Sequence, residues 1–196
     1  MSLTARDTNP RYGTVAMSLH WLIAIAVVFN IWLGFYMGDL PRADPDRFWF
    51  IQFHKSTGLT ILILSVARVM WRVINPMPAL PEKMPGWERI LARGVHYVFY
   101  VLIIALPLAG WGIASSSPRG LPTLWYGLFE WQRIPFLADL SHDQKQQIVG
   151  VFEDTHTALA YFALGLIVLH VAAALKHQFW NRDTVLSRML PFSKAQ

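Results

Sequence analysis

Charged residues in this chain retreat to the ends of four long apolar runs, and the elements follow from where those runs stop. Val15 to Met37 passes without a charge. A second run, about Phe48 to Ile74, is broken only by His54-Lys55 near its start and by Arg68 and Arg72 near its end. Gly94 to Ser117 is uncharged, and so is Thr155 to Leu175. Crossing the hydrocarbon of a bilayer takes about 20 apolar residues as a helix, so the pattern predicts four spans near 15–37, 52–74, 94–116 and 154–176. The first is too long for the core of a signal peptide and carries Trp21, Asn30 and Trp32, so it reads as a retained helix.

The connections are polar or broken. Asp39, Pro41, Asp44, Pro45 and Asp46 mark a short loop, and the repeated prolines of 75–86 forbid a continuous helix there. Pro107 falls inside the third run, where it should kink the helix. Residues 118–140 form an outer loop with Trp125, Tyr126, Phe129 and Trp131, the aromatic composition of a segment lying at a membrane surface. Ser141 followed by Gln144 has the form of a capping box, which starts a helix that runs through Gln147 and Glu153 into the fourth span. The expected fold is all-α, an integral membrane four-helix bundle forming a single membrane domain over 1–196.

Composition agrees: 54% of residues are hydrophobic, only 15% are charged, and the mean hydropathy is +0.34, too little polar surface for a soluble domain. The absence of cysteine excludes disulfides, Cys-ligated iron–sulfur clusters and covalently attached c-type haem, leaving His or Met to hold any redox centre. The net charge of +5 suits basic ends against anionic lipid and not a nucleic-acid partner. Of the 17 Lys and Arg residues, 11 fall on the side that bears both termini and 6 on the other, which places both termini in the cytoplasm.

The candidate chemistry lies in the histidines. His156 and His170 are fourteen positions apart in the fourth run, so on a helix they share a face to within about 40° and sit ~21 Å apart along the axis. Imidazole is costly inside a membrane and marks function there. His20 lies about one turn into the first span, near the inner surface, and His54 opens the second near the outer one. Antiparallel threading then pairs His20 with His170 and His54 with His156. Two imidazoles with no third or fourth protein ligand nearby suit a haem, whose porphyrin supplies four nitrogens, better than zinc. Gly34 and Gly58 offer close approach of a macrocycle or ordinary helix packing. Arg68, fourteen residues after His54, comes near the inner haem, either to pair with a propionate or as an interfacial cation. His177, seven residues past His170 and flanked by Lys176 and Trp180, is placed to hydrogen-bond a quinone carbonyl or to face solvent. His96 fits a structural or propionate role, and His142 is a surface residue of the outer loop. No side chain is expected to act as a catalytic acid, base or nucleophile.

The segments SLHW (Ser18–Trp21), FHKSTG (Phe53–Gly58), ALPLAGW (Ala105–Trp111) and the stretch Asp154 to Trp180 resemble the bacterial cytochrome b561 family. The likeness is nearest to its four-helix di-haem members, among them superoxide oxidases, and it covers nearly the whole chain. The resemblance implies a multi-pass protein of the bacterial inner membrane holding two haem b. It implies His20 and His170 on the inner iron, His54 and His156 on the outer, and His177 beside ubiquinone. It implies an oxidoreductase that passes electrons from superoxide through two haems to ubiquinone. Lys55, Arg119 and Arg133 are then candidates for drawing the anion to the outer edge. The alternative is a cytochrome b subunit that relays electrons between the quinone pool and a partner dehydrogenase, hydrogenase or periplasmic redox protein, with 118–140 as its docking segment. The expected partners are therefore membrane lipid, ubiquinone, and superoxide or another one-electron donor.

Overall fold

The computed structural model describes residues 11–75, 77–81 and 84–191. Four long helices carry the fold: α1 (Thr14–Asp39), α2 (Arg47–Ile74), α3 (Gly86–Ser116) and, after a small hairpin, α5 (His142–Lys176). All four contain stretches long and apolar enough to cross a membrane. They are longer than the apolar runs, because charged residues at their ends continue the helix beyond the hydrocarbon. α3 begins at Gly86, ahead of Glu88, Arg89 and Arg93, and runs on through Pro107. α5 begins as its sequence predicts. Ser141 Oγ accepts from Gln144 N while Gln144 Oε1 accepts from Ser141 N, which satisfies two amides that a helix start leaves unpaired.

The bundle is apolar outside, and within it small polar residues sit among the apolar ones. Ile25 is 66% exposed and Val101 65%, surfaces that hydrocarbon solvates and water would not. Inside, Ser56, Ser65, Ser115 and Ser116 are fully buried, and small residues of this kind let membrane helices approach closely. The packed pairs are α1 on α2, α2 on α3 and α3 on α5. α5 stands off from α1 and α2 and reaches them through side chains, as where Phe35 meets Tyr161 with ring centroids 5.5 Å apart.

The hairpin of β1 (Thr123–Trp125) and β2 (Phe129–Trp131) is the element that the apolar pattern does not announce. Tyr126 (φ 49°) and Gly127 (φ 75°) both take the left-handed conformation that a tight reversal between twisted strands requires. Leu128 N closes it on Trp125 O at 3.0 Å. Buried polar residues of α2 hold the hairpin down. Gln52 Nε2 donates to Pro122 O and Gln52 Oε1 accepts from Leu124 N, each at 2.9 Å. Ser56 Oγ accepts from Tyr126 N at 2.9 Å. Arg133 donates to Gly120 O, and Lys55 Nζ donates to Pro122 O at 3.2 Å. A short helical turn, α4 (Pro135–Ala138), leads back to α5.

At the opposite end of the bundle the two termini of the described chain meet. Arg11 Nη2 donates to Leu190 O at 2.8 Å and to Pro191 O at 2.7 Å, and Trp21 Nε1 donates to Met189 O at 2.9 Å. Arg188 Nη1 donates to Ala79 O at 2.5 Å, tying the same strap to the proline-rich loop. Of the cations counted for this end in the sequence, Arg6, Lys83 and Lys194 lie outside the described residues.

Candidate functional site

The four helices bring the histidines together in two levels. His54 on α2 and His156 on α5 have ring centroids 6.1 Å apart with planes at 76°. His20 on α1 and His170 on α5 are 6.4 Å apart with planes at 72°. A metal bridging two imidazole nitrogens from opposite sides, at about 2.0–2.1 Å each, with each nitrogen about 1.1 Å from its ring centre, separates the centroids by roughly 6.2–6.4 Å. His20 and His170 have that separation, and His54 and His156 fall just short of it. Among the described residues no three or more His, Asp or Glu are gathered to hold a bare metal ion. The donor set therefore suits a metal that brings its equatorial ligands with it, as an iron porphyrin does.

The level nearer the hairpin is the more symmetric. His54 Nδ1 lies 3.1 Å from Asn30 O on α1, and His156 Nδ1 lies 3.0 Å from Leu106 O on α3. A carbonyl only accepts, so each Nδ1 carries the proton and each Nε2 keeps its lone pair for a metal. Four residues on from each carbonyl stands a glycine. A Cβ at Gly34 would lie 3.2 Å from His54 Cε1, and a Cβ at Gly110 3.2 Å from His156 Cε1. Gly34 thus makes room for the ring of His54, and Gly110 does the same for His156. Gly58, by contrast, would bring its Cβ only into ordinary contact with Asn30 Nδ2 at 3.6 Å.

The other level is more crowded. Arg68 is buried; its Nη1 donates to Ala16 O at 3.0 Å, and its Nη2 lies 3.4 Å from His20 Nδ1, beside the inner pair as the spacing from His54 required. His96 on α3 also comes close, its ring 5.8 Å from that of His170 at 88°. Its Nδ1 donates to Ala92 O, one turn back on its own helix, at 2.5 Å. Phe99 covers another side of His170, with centroids 5.2 Å apart.

Beyond His170, α5 passes into a π-helical turn, His177–Asn181, that ends at Arg182 in the left-handed conformation (φ 52°). The wide turn carries the chain back on itself. Asp183 N donates to His177 O at 3.1 Å, and Asp183 Oδ2 meets His177 Nδ1 at 2.6 Å. His177 is therefore part-buried and engaged, with Glu88 of α3 on its other side. His142 is exposed and touches Gln146 one turn on, a surface residue as expected.

Sequence spacing found the paired histidines and Arg68, but not the groups that hold them. Gly110 is one signal it offered, since Leu106 and Gly110 repeat the four-residue interval of Asn30 and Gly34. The carboxylates beside His177 had no such signal, because α3 supplies one and the chain beyond α5 the other.

Comparison with known proteins gives the family. The prokaryotic cytochrome b561 family profile matches residues 11–192. The chain is 34% identical to "Cytochrome b561 homolog 2" of Escherichia coli (strain K12), over 100% of this chain and 98% of that protein. It is 30% identical to "Probable superoxide oxidase CybB" of Yersinia pestis, over 93% of this chain and 97% of that one. It is 26% identical to "Cytochrome b562" of Cereibacter sphaeroides, over 93% and 96%. The chain belongs to the prokaryotic cytochrome b561 family, whose members bind b-type haem and carry electrons in membranes.

Proposed function

We propose that this protein is a di-haem oxidoreductase of the bacterial inner membrane that takes electrons singly from superoxide at the hairpin end and delivers them to ubiquinone at the end bearing both termini. The observation that carries the reading is the pair of like-spaced imidazole couples, 6.1 Å and 6.4 Å between centroids, whose α5 members lie ~21 Å apart along the helix axis. His54 and His156 would hold one haem b, and His20 and His170 the other. Bound in this way, haem supplies reversible one-electron transfer.

The protein's own groups do the rest. Asn30 O and Leu106 O fix the outer rings with Nε2 free. Arg68 offers a buried cation beside the inner pair, suited to a propionate. His177, about 10 Å further along the helix axis, presents an imidazole to a quinone carbonyl. Lys55 and Arg133 lie close enough to repel each other, and with exposed Arg119 they make the hairpin end attractive to a small anion. The excess of Lys and Arg at the other end supports an orientation with both termini in the cytoplasm. Electrons and protons balance as two superoxide anions, one ubiquinone and two protons giving two dioxygen molecules and one ubiquinol. The likeness to a relative named as a probable superoxide oxidase supports the donor.

One observation favours a second reading. Leu128 (74% exposed) and Phe136 (70%) stand out at the hairpin end, the first on the hairpin clamped by Gln52 and Ser56 and the second on α4, just ahead of which Ile134 N donates to Ser115 Oγ. Such a rigid apolar rim suits the docking of a partner dehydrogenase, hydrogenase or periplasmic redox protein.

The deciding experiment supplies the purified protein with an enzymatic source of superoxide and a short-chain ubiquinone. Ubiquinol should form with no other protein present, and superoxide dismutase should abolish it. No ubiquinol under those conditions, with reduction restored by a co-purified partner, would move the assignment to the electron-transfer subunit.

A further inference from the structure

The surroundings of His177 hold more than a quinone-binding imidazole needs. The groups facing it are Asp183 and Asn181 from the turn that follows it and Glu88 from α3, with Lys176 behind Glu88. Asp183 Oδ2 accepts from Nδ1 at 2.6 Å, while its Oδ1 accepts from Val185 N at 3.0 Å, so both the carboxylate and the ring are fixed. Asn181 Nδ2 lies 3.2 Å from the same ring nitrogen. The other nitrogen, Nε2, faces Glu88 Oε2 at 4.0 Å. That oxygen is buried and has no hydrogen-bond partner, an arrangement that is costly for a charged group. Glu88 Oε1 is held by Lys176 Nζ at 2.7 Å. Side-chain exposure rises from 12% at His177 and Glu88 to 47% at Lys176.

A gap of 4.0 Å is too wide for a direct hydrogen bond. It is the right width for one oxygen atom to sit to the side and reach both groups, at about 2.8 Å from each. That oxygen must be able to donate to the carboxylate and to bond the imidazole. A water does so, and so does a quinol hydroxyl, whereas a quinone carbonyl bonds only the imidazole N–H.

We propose that Glu88 and His177 form a proton-transfer pair at one oxygen of the quinone, with Asp183 locking the ring and the Lys176–Glu88 contact opening the pair to the aqueous side. The proposal rests on the quinone reading of His177 given above. When electrons from the one-electron donor reach the quinone, the Nε2–H bond breaks and an O–H bond forms on the quinone oxygen. The Glu88 carboxylate takes a proton from water at the inner surface and passes it through the bridging oxygen to Nε2, which restores both groups. Quinol needs two electrons and two protons, and this path supplies the proton for the oxygen nearest His177. Glu88 acts here through His177 and is a positioning and proton-supplying residue.

The test uses the full-length purified protein and compares Glu88→Gln, Glu88→Asp and His177→Ala with the parent. Haem absorbance checks folding, and the rate of haem reduction by superoxide checks the outer half. In Glu88→Gln both should persist, while ubiquinone turnover falls about tenfold at neutral pH, with kcat affected more than KM, and its pH profile changes shape. Glu88→Asp should recover part of the rate, as a carboxyl set back by one methylene would. If Glu88→Gln turns over like the parent at every pH while His177→Ala is slow, the proton pair is wrong and the quinone assignment stands. If His177→Ala also turns over like the parent, the quinone assignment itself is wrong. If Glu88→Gln loses its haem, Glu88→Asp decides: an unaltered rate and pH profile overturns the pair, and a slowed, shifted profile supports it.

Discussion

Gly34 and His54 fit each other so closely that the glycine has no permitted substitute with a branched side chain. A Cβ at position 34 would stand 3.2 Å from His54 Cε1, and the ring cannot swing aside without breaking its bond to Asn30 O. Gly34→Val should therefore displace His54 and lose the outer haem while keeping the inner one. Reduced-minus-oxidised spectra with haem quantified per protein would show it. Gly38→Ala, four residues on and with nothing within 4 Å of its Cβ, should keep both haems and leave stability unchanged or raised by up to about 1 kcal/mol. Equal haem loss in both variants would refute the steric argument.

The inner level contains three imidazoles, and the assignment of His20 over His96 is open to a direct check. The His20–His170 separation of 6.4 Å matches two-sided ligation, whereas His96 lies closer, at 5.8 Å from His170. His20→Ala and His170→Ala should each remove the inner haem, and His96→Ala should retain it. Retention in His20→Ala with loss in His96→Ala would exchange the two roles.

Arg68 places a buried positive charge beside the inner pair. A cation there favours the reduced, less positive form of a bound haem. Arg68→Gln should lower the inner midpoint potential by about 60 mV or more, the shift that a tenfold change gives a one-electron couple. Arg68→Lys should recover most of it. A redox titration that finds both potentials unmoved would show that the charge does not act on the site.

Gln52 gives the hairpin two hydrogen bonds from a side chain that is only 4% exposed. Gln52→Leu leaves Leu124 N–H and Pro122 C=O without those partners, at a cost of about 1–3 kcal/mol. Exchange of the Leu124 amide should accelerate and the thermal midpoint should fall by a few degrees, with the haem spectrum intact. An unchanged exchange rate would mean that the hairpin is held by its aromatic contacts.

The cations at the hairpin end should act through long-range attraction. Lys55→Gln combined with Arg133→Gln should slow superoxide-driven haem reduction several-fold at low salt, and the difference should vanish at high ionic strength, where the Debye length falls to about 3 Å at 1 M. A salt-independent deficit would point to distortion of the hairpin instead.

The spans and the four paired histidines were legible because hydrocarbon leaves few choices. It demands long charge-free helices, and an imidazole within one stands out. What the sequence concealed was contact between distant backbone and side chains. Asn30 O and Leu106 O are carbonyls, which every residue has, so no residue type announces that these two will fix a ring. Glu88 reads as an ordinary charge at a helix start until α3 and α5 pack and bring it to Lys176, 88 positions away. The hairpin at 123–131 was hidden for a similar reason. Its strands are three residues long, too short to show alternation, and they depend on Gln52 and Ser56 of another element. His96 had no visible partner because α3 and α5 make their contact only in the folded bundle.

Each couple of imidazoles takes one member from the last long helix. On the proposed assignment this sets an order of biogenesis. The ribosome releases His20 and His54 on the order of ten seconds before His156 and His170, and during that interval no complete iron-binding pair exists in the nascent polypeptide. Insertion of the first three spans therefore precedes porphyrin loading, and a stop codon anywhere ahead of the fourth would yield a membrane-embedded but colourless product.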